Sequence, residues 1–333
     1  MKIKFKHRQS SHCESGVTSN LLYHYGVDVS EAMAFGIGGG LFFGYLPFLK
    51  VNKLPLTTYR CALGGIIKRT TKKFGIDVKW QKFTKPAKGM DALDALLDQG
   101  IPTGCRTGGY WLPYFPPAFR FHFNMHNLVV YGKDGGDYLI SDPVFPDTVV
   151  CPGKDLMKAR FAKGPLAPKG TMYYLSHVPH TIDVAAGIVK GIKSVGRAML
   201  NTPGPFIGIS GMRLLAKQLE KWPEKLGQRQ AALYLGQVIR LQEEIGTGGA
   251  GFRFMYAAFL QEAAHVLGDD RLLEIPNKMT DIGDQWRYFA LVGSRICKGR
   301  ASKDETYPAL ANILRDCAHR EKELYRELLM IVR

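Results

Sequence analysis

A cysteine, a histidine and an aspartate follow one another in an order that suits nucleophilic catalysis. Cys13 precedes an apolar stretch with helical spacing, so we expect it at or just before a helix N-terminus. Unpaired N–H groups at such an end favour the thiolate form of cysteine. His126 enters an apolar strand, and Asp142 follows the strand that returns from it. The three residues are therefore candidates for a nucleophile, a base and a group that orients the base.

Nucleophilic attack on a carbonyl also requires donors for the oxyanion. Backbone N–H groups near Cys13 could supply one donor, and the side chain of Gln9 or His12 could supply another. Papain-like proteases, which share the layout of a helix-borne cysteine facing a strand-borne histidine, carry a glutamine further upstream. His7 fills that position here, so the choice between Gln9 and His12 stays open.

Composition is typical of a soluble globular protein, with 46% hydrophobic and 22% charged residues in a chain of 333. The six cysteines lack the paired spacing of a zinc site, and no signal peptide is recognised. We therefore expect reduced thiols, no metal and a cytoplasmic protein. The apolar run over residues 34–49 is too short and too rich in glycine to span a membrane.

Helical and strand-like patterns alternate over residues 1–175, whereas helical periodicity dominates from residue 206 onward. This pattern predicts an α+β domain with an antiparallel sheet over residues 1–180 and an all-helical domain over residues 206–333. Residues 181–205 are predicted as a basic amphipathic helix or linker. Contact of residues 184–200 with a membrane surface, peripheral at the inner membrane, stays open as an alternative to packing between domains.

The net charge of +16 is concentrated in the first part of the chain. Residues 1–200 hold 26 Lys and Arg against 13 Asp and Glu, a net charge of +13. The densest segment, residues 50–88, contains Lys68, Arg69, Lys72 and Lys73. A basic surface of this size favours an acidic partner, although solvated surface lysines are the simpler alternative. No nucleic-acid recognition motif is present in the sequence, so nucleic acid is disfavoured as the partner.

A second glycine-rich segment, residues 246–253, precedes a predicted helix. Gly248, Gly249, Gly251 and Arg253 are candidates for contacts with a phosphate or a phosphopantetheine arm, because backbone amides and a guanidinium could meet an anion there. The segment lacks the Lys-Ser/Thr of a P-loop and follows a helix instead of a strand, which disfavours nucleotide hydrolysis. A simple connection between two helices is an equal alternative.

Several motifs together resemble a known family. His-Cys-Glu-Ser-Gly at residues 12–16, Ser-Glu followed by Phe-Gly-Ile-Gly-Gly-Gly at residues 30–40, Met-His-Asn at 125–127 and Ser-Asp-Pro at 141–143 resemble the N-terminal domain of the butirosin biosynthesis protein H family. Residues 248–264 are similar to the helical domain that commonly follows it. The resemblance covers residues 7–180 and 205–330.

The resemblance implies a papain-like, bacteriocin-leader-peptidase-like fold used for acyl transfer. The founding member moves an acyl group from an acyl carrier protein to an aminoglycoside amine. Carried over, Cys13 would take the acyl group as a thioester, His126 would act first as base and then as acid, and Asp142 would orient His126. The co-substrate would be an acyl-carrier-protein or coenzyme A thioester, with no bound cofactor. An acidic carrier protein would meet the basic residues of segment 50–88.

The leading hypothesis is therefore a cysteine-dependent acyltransferase that serves specialised-metabolite or lipid biosynthesis and acylates a small-molecule amine. One alternative is a papain-like cysteine peptidase or amidase, in which water resolves the acyl-enzyme. Another is a non-catalytic binding protein that uses its basic surface. Residues 34–49 would either line an acyl channel or belong to the core.

Overall fold

The chain folds into two compact units. The computed structural model describes residues 2–51, 53–245 and 248–333. The first unit comprises the chain up to Ala34 together with Ile66–Asp183. The second comprises Phe35–Gly65 and Val184–Arg333. The second unit is therefore discontinuous in sequence. Residues 35–65 belong to it, although they lie between two parts of the first unit in the sequence.

The first unit is built on a six-stranded antiparallel sheet with the strand order β3-β8-β4-β5-β6-β7. Its strands are β3 (Asp77–Gln81), β4 (Thr103–Thr107), β5 (His126–Asp134), β6 (Asp137–Ser141), β7 (Val149–Pro152) and β8 (Met172–His177). Its helices are α1 (Cys13–His24), α2 (Glu31–Ile37), α3 (Gly65–Lys73), α4 (Pro86–Asp98) and α5 (Gly153–Arg160). Of these, α2 and α3 each have residues in both units.

Alternating apolar residues on the strands form the core of the first unit. Side chains such as Cys105, Leu128, Val130 and Ile140 are completely buried in one cluster with residues of α4 and α5. Helix α1 packs against β5, a central strand of the sheet. Cys13 is the first residue of α1 and His126 is the first residue of β5. The packing of α1 on β5 therefore places the beginning of the helix near the beginning of the strand.

The second unit combines a two-stranded hairpin with helices. The hairpin strands are β1 (Leu41–Val51) and β2 (Leu54–Arg60), and the helices are α6 (Val184–Asn201), α7 (Gly208–Leu226), α8 (Gln228–Glu243), α9 (Arg253–Leu267), α10 (Ile275–Cys297) and α11 (Tyr307–Ile331). The fold class predicted from the sequence is confirmed: an α+β part with an antiparallel sheet is followed by a helical region.

Residues 35–65 contain a strand pair that the sequence did not predict. Most of the apolar run over residues 34–49 is strand β1, which pairs with β2 and packs on α7. The acyl channel suggested for this run stays a prediction. Leu54–Arg60 buries alternate side chains as a strand does, and helix α3 begins only at Gly65.

The segment predicted as a basic helix or linker is helix α6 of the second unit. Its apolar face, which includes Ile188, Ile192, Val195 and Met199, is buried, and the helix packs on α7 and α11. That face is therefore not available to a membrane surface. Within the described ranges, no helix has the length and apolarity needed to cross a membrane.

Candidate active site

Cys13 occupies the first turn of α1, as the sequence predicted. His12 is the N-cap: its backbone is extended and its imidazole accepts a hydrogen bond from the Ser15 N–H. The Glu31 carboxylate accepts from the His12 N–H at 2.7 Å and from the Ser11 N–H at 2.9 Å. These contacts fix the start of the helix, where the aligned peptide dipoles favour a negative charge on the Cys13 sulfur. The Cys13 side chain is nearly buried, with 8% exposed.

A close approach between α1 and the segment after β6 brings the helix to this position. A Cβ on Gly16 would lie 2.6 Å from the Cβ atoms of both Ser10 and Pro143. The Ser10 N–H also donates to the Pro143 carbonyl at 2.6 Å. A residue larger than glycine would push α1 away from the chain that carries Asp142. This explains why Gly16 follows Cys13 by three residues in the motif.

His126 and Asp142 are brought together by the register of β5 and β6. Val129 lies opposite Ser141, so Asp142, directly after β6, comes beside the beginning of β5. The His126 Nε2 lies 2.7 Å from Asp142 Oδ2, and both side chains are buried. The Phe115 ring meets the imidazole edge-on, with 5.2 Å between the ring centroids.

The electrostatics of this pair favour the imidazolium. Burial alone would lower the pKa of His126, but the charge and hydrogen bond of Asp142, followed by those of Cys13, outweigh it and raise this pKa from 6.5 to about 10. Because Asp142 contacts Nε2 of His126, the ring nitrogen available to Cys13 is Nδ1. The geometry therefore suits a thiolate–imidazolium pair whose ring is oriented by a carboxylate.

Tyr114 is a fourth member of the cluster that the sequence did not predict. Its hydroxyl donates to Asp142 Oδ2 at 2.8 Å, the same oxygen that His126 contacts. Burial and the neighbouring Asp142 charge raise the pKa of Tyr114 well above its usual range, so the hydroxyl stays protonated and acts as a donor. The second carboxylate oxygen of Asp142 accepts from the Val144 N–H at 3.3 Å.

Asn127 also contacts the sulfur and was not predicted to have a role. Its Nδ2 lies 3.9 Å from Cys13 Sγ and 3.2 Å from the Met125 carbonyl oxygen. The Met125 carbonyl is itself 3.8 Å from the sulfur. The Asn127 Oδ1 accepts from the Tyr173 hydroxyl at 3.0 Å. Asn127 belongs to the Met-His-Asn motif, but the motif alone gives it no role, and a strand tyrosine such as Tyr173 is an ordinary core residue.

The two predicted oxyanion side chains are placed differently. Gln9 is exposed, and no contact brings its side chain to Cys13. His12 is buried, but its Nδ1 serves as the helix cap and lies 2.8 Å from Ser15 Oγ. His7 lies with Nδ1 2.8 Å from Ser141 Oγ and Nε2 3.0 Å from the Phe145 carbonyl oxygen. The proposal of Gln9 or His12 as the donor is therefore not supported by the geometry.

Arg253, the cation predicted for an anion site in the second unit, already has a carboxylate partner. Arg253 is completely buried and forms a bidentate pair with Glu321, at 3.0 and 3.2 Å. Trp286 and Tyr325 donate to the same carboxylate. Of the glycines, Gly248 is exposed, whereas Gly249 and Gly251 are buried. The Ala250 N–H beside them donates to a carboxylate of Glu243, and the Gly251 carbonyl accepts from Arg253. The Arg253 guanidinium is already paired, so it contributes to the helical core and is not available to a phosphate. A role for the three glycines stays a prediction.

The predicted basic surface lies on helix α3. Lys68, Arg69 and Lys72 are exposed and Lys73 is partly exposed. The Lys68 ammonium also lies over the Trp80 ring, 4.7 Å from its centroid. Helix α3 begins beside the active-site helix, because the Ile66 N–H donates to the buried Glu14 carboxylate at 2.9 Å. The four residues therefore share one helix of the unit that contains Cys13.

Comparison with known proteins agrees with this picture. The family model described as butirosin biosynthesis protein H, N-terminal, matches residues 12–143, and the domain of unknown function DUF4872 matches residues 154–328. The resemblance predicted from the sequence is confirmed. No curated protein matches the sequence. A Bacillus anthracis structure described as a C39-like peptidase is 15% identical, with a TM-score of 0.38, and the match covers 54% of this chain and 100% of that one. A likeness of this size is too low to carry weight. The family match supports a papain-like cysteine enzyme.

Proposed function

This chain belongs to the DUF4872 family and carries the N-terminal domain of butirosin biosynthesis protein H, and we propose that it is a cysteine-dependent acyltransferase. Cys13 takes an acyl group from an acyl-carrier-protein or coenzyme A thioester and passes it to an amine. The observation that supports this proposal most directly is the Asp142–His126 contact of 2.7 Å in a buried site where Cys13 also contributes to the raised pKa of His126.

In the first half-reaction the Cys13 thiolate attacks the carbonyl carbon of the donor thioester. The tetrahedral intermediate collapses by breaking the bond to the donor sulfur, and the departing thiolate takes the proton held on His126. The products are an acyl-Cys13 thioester and a free donor thiol. A neutral imidazole remains, oriented by Asp142 through its Nε2–H.

In the second half-reaction the amine attacks the acyl-Cys13 carbonyl. His126 removes the proton that the nitrogen loses, and the Cys13 sulfur departs as a thiolate beside the new imidazolium. The products are an amide and the starting enzyme. Hydrolysis would follow the same course with water in place of the amine, so the peptidase or amidase alternative differs only in the acceptor.

The choice of a thioester donor is supported by the family match and by charge. Lys68, Arg69, Lys72 and Lys73 are carried by helix α3, and the sequence has a net charge of +16. An acidic carrier protein would be attracted to such a surface before docking. We propose this surface, and not the helical unit's glycine-rich segment, as the docking site for the donor.

Intact-protein mass spectrometry tests the proposal. Wild type and Cys13→Ala are incubated with a panel of acyl-carrier-protein and acyl-coenzyme A thioesters, and then with a panel of amines. We expect a mass gain of one acyl group that requires Cys13 and that disappears, with amide formation, when the acceptor is added. Free acid in place of amide would favour the amidase alternative. The absence of any adduct from a folded wild-type protein would overturn the proposal.

A further inference from the structure

The Cys13 sulfur lies against a backbone carbonyl that opposes its ionisation. The Met125 carbonyl oxygen is 3.8 Å from Sγ, a position in which a protonated thiol can donate to it. Once the proton has moved to His126, the same oxygen faces a negative sulfur and repels it. A buried thiolate in this position needs a compensating N–H donor.

Asn127 places such a donor beside both atoms. Its Nδ2 carries two hydrogens, and it lies within hydrogen-bonding reach of the Met125 oxygen at 3.2 Å and of Cys13 Sγ at 3.9 Å. One hydrogen can therefore satisfy the carbonyl while the other points to the sulfur. The side chain is 2% exposed, so water does not compete for either hydrogen.

The orientation of this amide is fixed by its surroundings. The Met125 carbonyl can only accept, so the amide atom that faces it has to be the nitrogen. The oxygen of the amide then faces the Tyr173 hydroxyl, which donates to it at 3.0 Å. Burial, followed by the charge of Glu14, raises the pKa of Tyr173 well above its usual range, so this hydroxyl keeps its proton.

Tyr173 is itself held rigidly by the sheet. It pairs with Gly104 of β4, and a Cβ on that glycine would lie 2.3 Å from the tyrosine ring. The absence of a side chain at Gly104 therefore lets the ring lie flat across the neighbouring strand. Trp80 packs on Tyr173, with 4.5 Å between the ring centroids. Tyr173 and Asn127 thus form a fixed connection that leads from the sheet to the nucleophile.

We infer that Asn127 is a further catalytic residue, which stabilises the Cys13 thiolate by an amide N–H, and that Tyr173 is a positioning residue that keeps this amide turned toward the sulfur. The inference rests on Cys13 being the nucleophile of the proposed function, but not on the identity of the donor or acceptor. It adds to the histidine pair a neutral donor that does not take part in proton transfer.

The test is the pH dependence of Cys13 alkylation by iodoacetamide, followed by peptide mass spectrometry in wild type and four variants. Asn127→Leu removes the donor at similar size, and Asn127→Asp places an oxygen beside both the sulfur and the carbonyl. Tyr173→Phe leaves Asn127 in place but releases its amide. Asn124→Leu is the control, because this asparagine is also nearly buried and donates to the Lys163 and Pro165 carbonyls, away from the sulfur.

We expect the midpoint of the alkylation profile to rise by about one pH unit in Asn127→Leu, which makes alkylation below the midpoint about tenfold slower. Asn127→Asp should raise it further and Tyr173→Phe less, whereas Asn124→Leu should leave it at the wild-type value. A residue with a purely structural role would lower the melting temperature without moving the midpoint.

The outcomes separate this inference from the proposed function. If wild-type Cys13 is no more reactive than an ordinary thiol, both are overturned. If wild type has a reactive thiolate and the variants share its midpoint, only the inference about Asn127 is overturned. Should the Asn127 variants fail to fold, Tyr173→Phe decides, since it removes a single hydroxyl.

Discussion

Tyr114 and His126 meet at one oxygen of Asp142: the phenol hydroxyl lies 2.8 Å and the imidazole Nε2 2.7 Å from Oδ2. Two donors thus share the charge of a single carboxylate oxygen. Because the tyrosine is neutral and the histidine can become charged, the tyrosine takes part of the stabilisation that the imidazolium would otherwise receive. The hydroxyl therefore moderates the base as well as orienting the carboxylate.

Tyr114→Phe should raise the pKa of His126 above its wild-type value, because Asp142 then directs its charge to the imidazole alone. We also expect acyl-enzyme formation to slow by about tenfold, the cost of a hydrogen bond to a charged group. Both effects are measured together, by NMR titration of the labelled imidazole and by single-turnover acylation. A lower pKa in the variant would contradict this role for Tyr114.

The three triad residues should differ in how much acylation depends on them. Cys13→Ala is expected to abolish the acyl-enzyme, and His126→Ala to slow its formation by about 10²–10⁴-fold, since proton transfer is lost. Asp142→Asn should slow turnover less than His126→Ala, because Asp142 orients the ring and does not react. Rates are compared by quenched-flow mass spectrometry, with circular dichroism as the control for folding. Full activity in Cys13→Ala would exclude Cys13 as the nucleophile.

The sequence predicted the elements that depend on local pattern. Helix α1 begins at Cys13, and helices α7 to α11 occupy the region from residue 206 onward in which helical periodicity dominates, since apolar spacing of 3.6 residues identifies an amphipathic helix directly. Cys13, His126 and Asp142 were singled out because their side chains are chemically distinctive, and their catalytic roles stay a prediction. Their assembly follows from the antiparallel register of β5 and β6, which a strand–turn–strand pattern also indicates.

The sequence could not predict features that depend on long-range packing. Residues 35–65 pair as a hairpin and join the second unit, although nothing in their composition distinguishes them from the first. Arg253 follows a glycine-rich turn that looks suited to an anion, yet Glu321, far along the chain, already neutralises it. Tyr114 gains its role from Asp142, which is distant in sequence. Asn127 gains its role from Cys13 and Tyr173, which are also distant, together with the nearby Met125 carbonyl.

The stability of a Cys13→Ala variant should fall as the pH rises from about 6.5 toward about 10. In the wild type the proton on His126 can come from the Cys13 thiol, which leaves the number of bound protons unchanged on folding. Without that thiol the proton has to come from solution. Burial lowers the pKa of His126, but the charge and hydrogen bond of Asp142 are the largest of the contributions that raise it from 6.5 to about 10 in the wild type, so in this window the folded variant still binds a proton that the unfolded one does not. The resulting stabilisation is fully present below the lower pKa and is lost through the upper one. Through this residue the free energy of unfolding changes by at most about 1.4 kcal/mol per pH unit.

Urea denaturation at a series of pH values measures this effect. The double variant Cys13→Ala with His126→Ala provides the reference, because every other titrating group is retained. We expect the difference in unfolding free energy between Cys13→Ala and this double variant to shrink as the pH rises through the window. A difference that is constant from pH 6 to 10 would mean that the imidazolium is not stabilised by the fold.

Reversing the charge on helix α3 should selectively weaken the binding of a carrier-protein donor. Lys68→Glu combined with Lys72→Glu places two carboxylates on the exposed face of α3 and would repel an acidic protein. We expect the KM for an acyl-carrier-protein donor to rise by about tenfold at low ionic strength, corresponding to ~1.4 kcal/mol, and the effect to shrink in salt. Lys190→Glu with Arg197→Glu, both exposed on α6, makes the same change of charge at a different site.

The kinetics with a small thioester complete this test. An acyl-pantetheine donor lacks the protein surface, so its KM should be the same in wild type and in both double variants if the two lysines act only in docking. An equal rise of KM for carrier protein and acyl-pantetheine would instead mean that the lysines contact the pantetheine arm of the donor. Unchanged kinetics with the carrier protein in the α3 variant would exclude this surface as the docking site, since a long-range attraction cannot survive the reversal of its own charges.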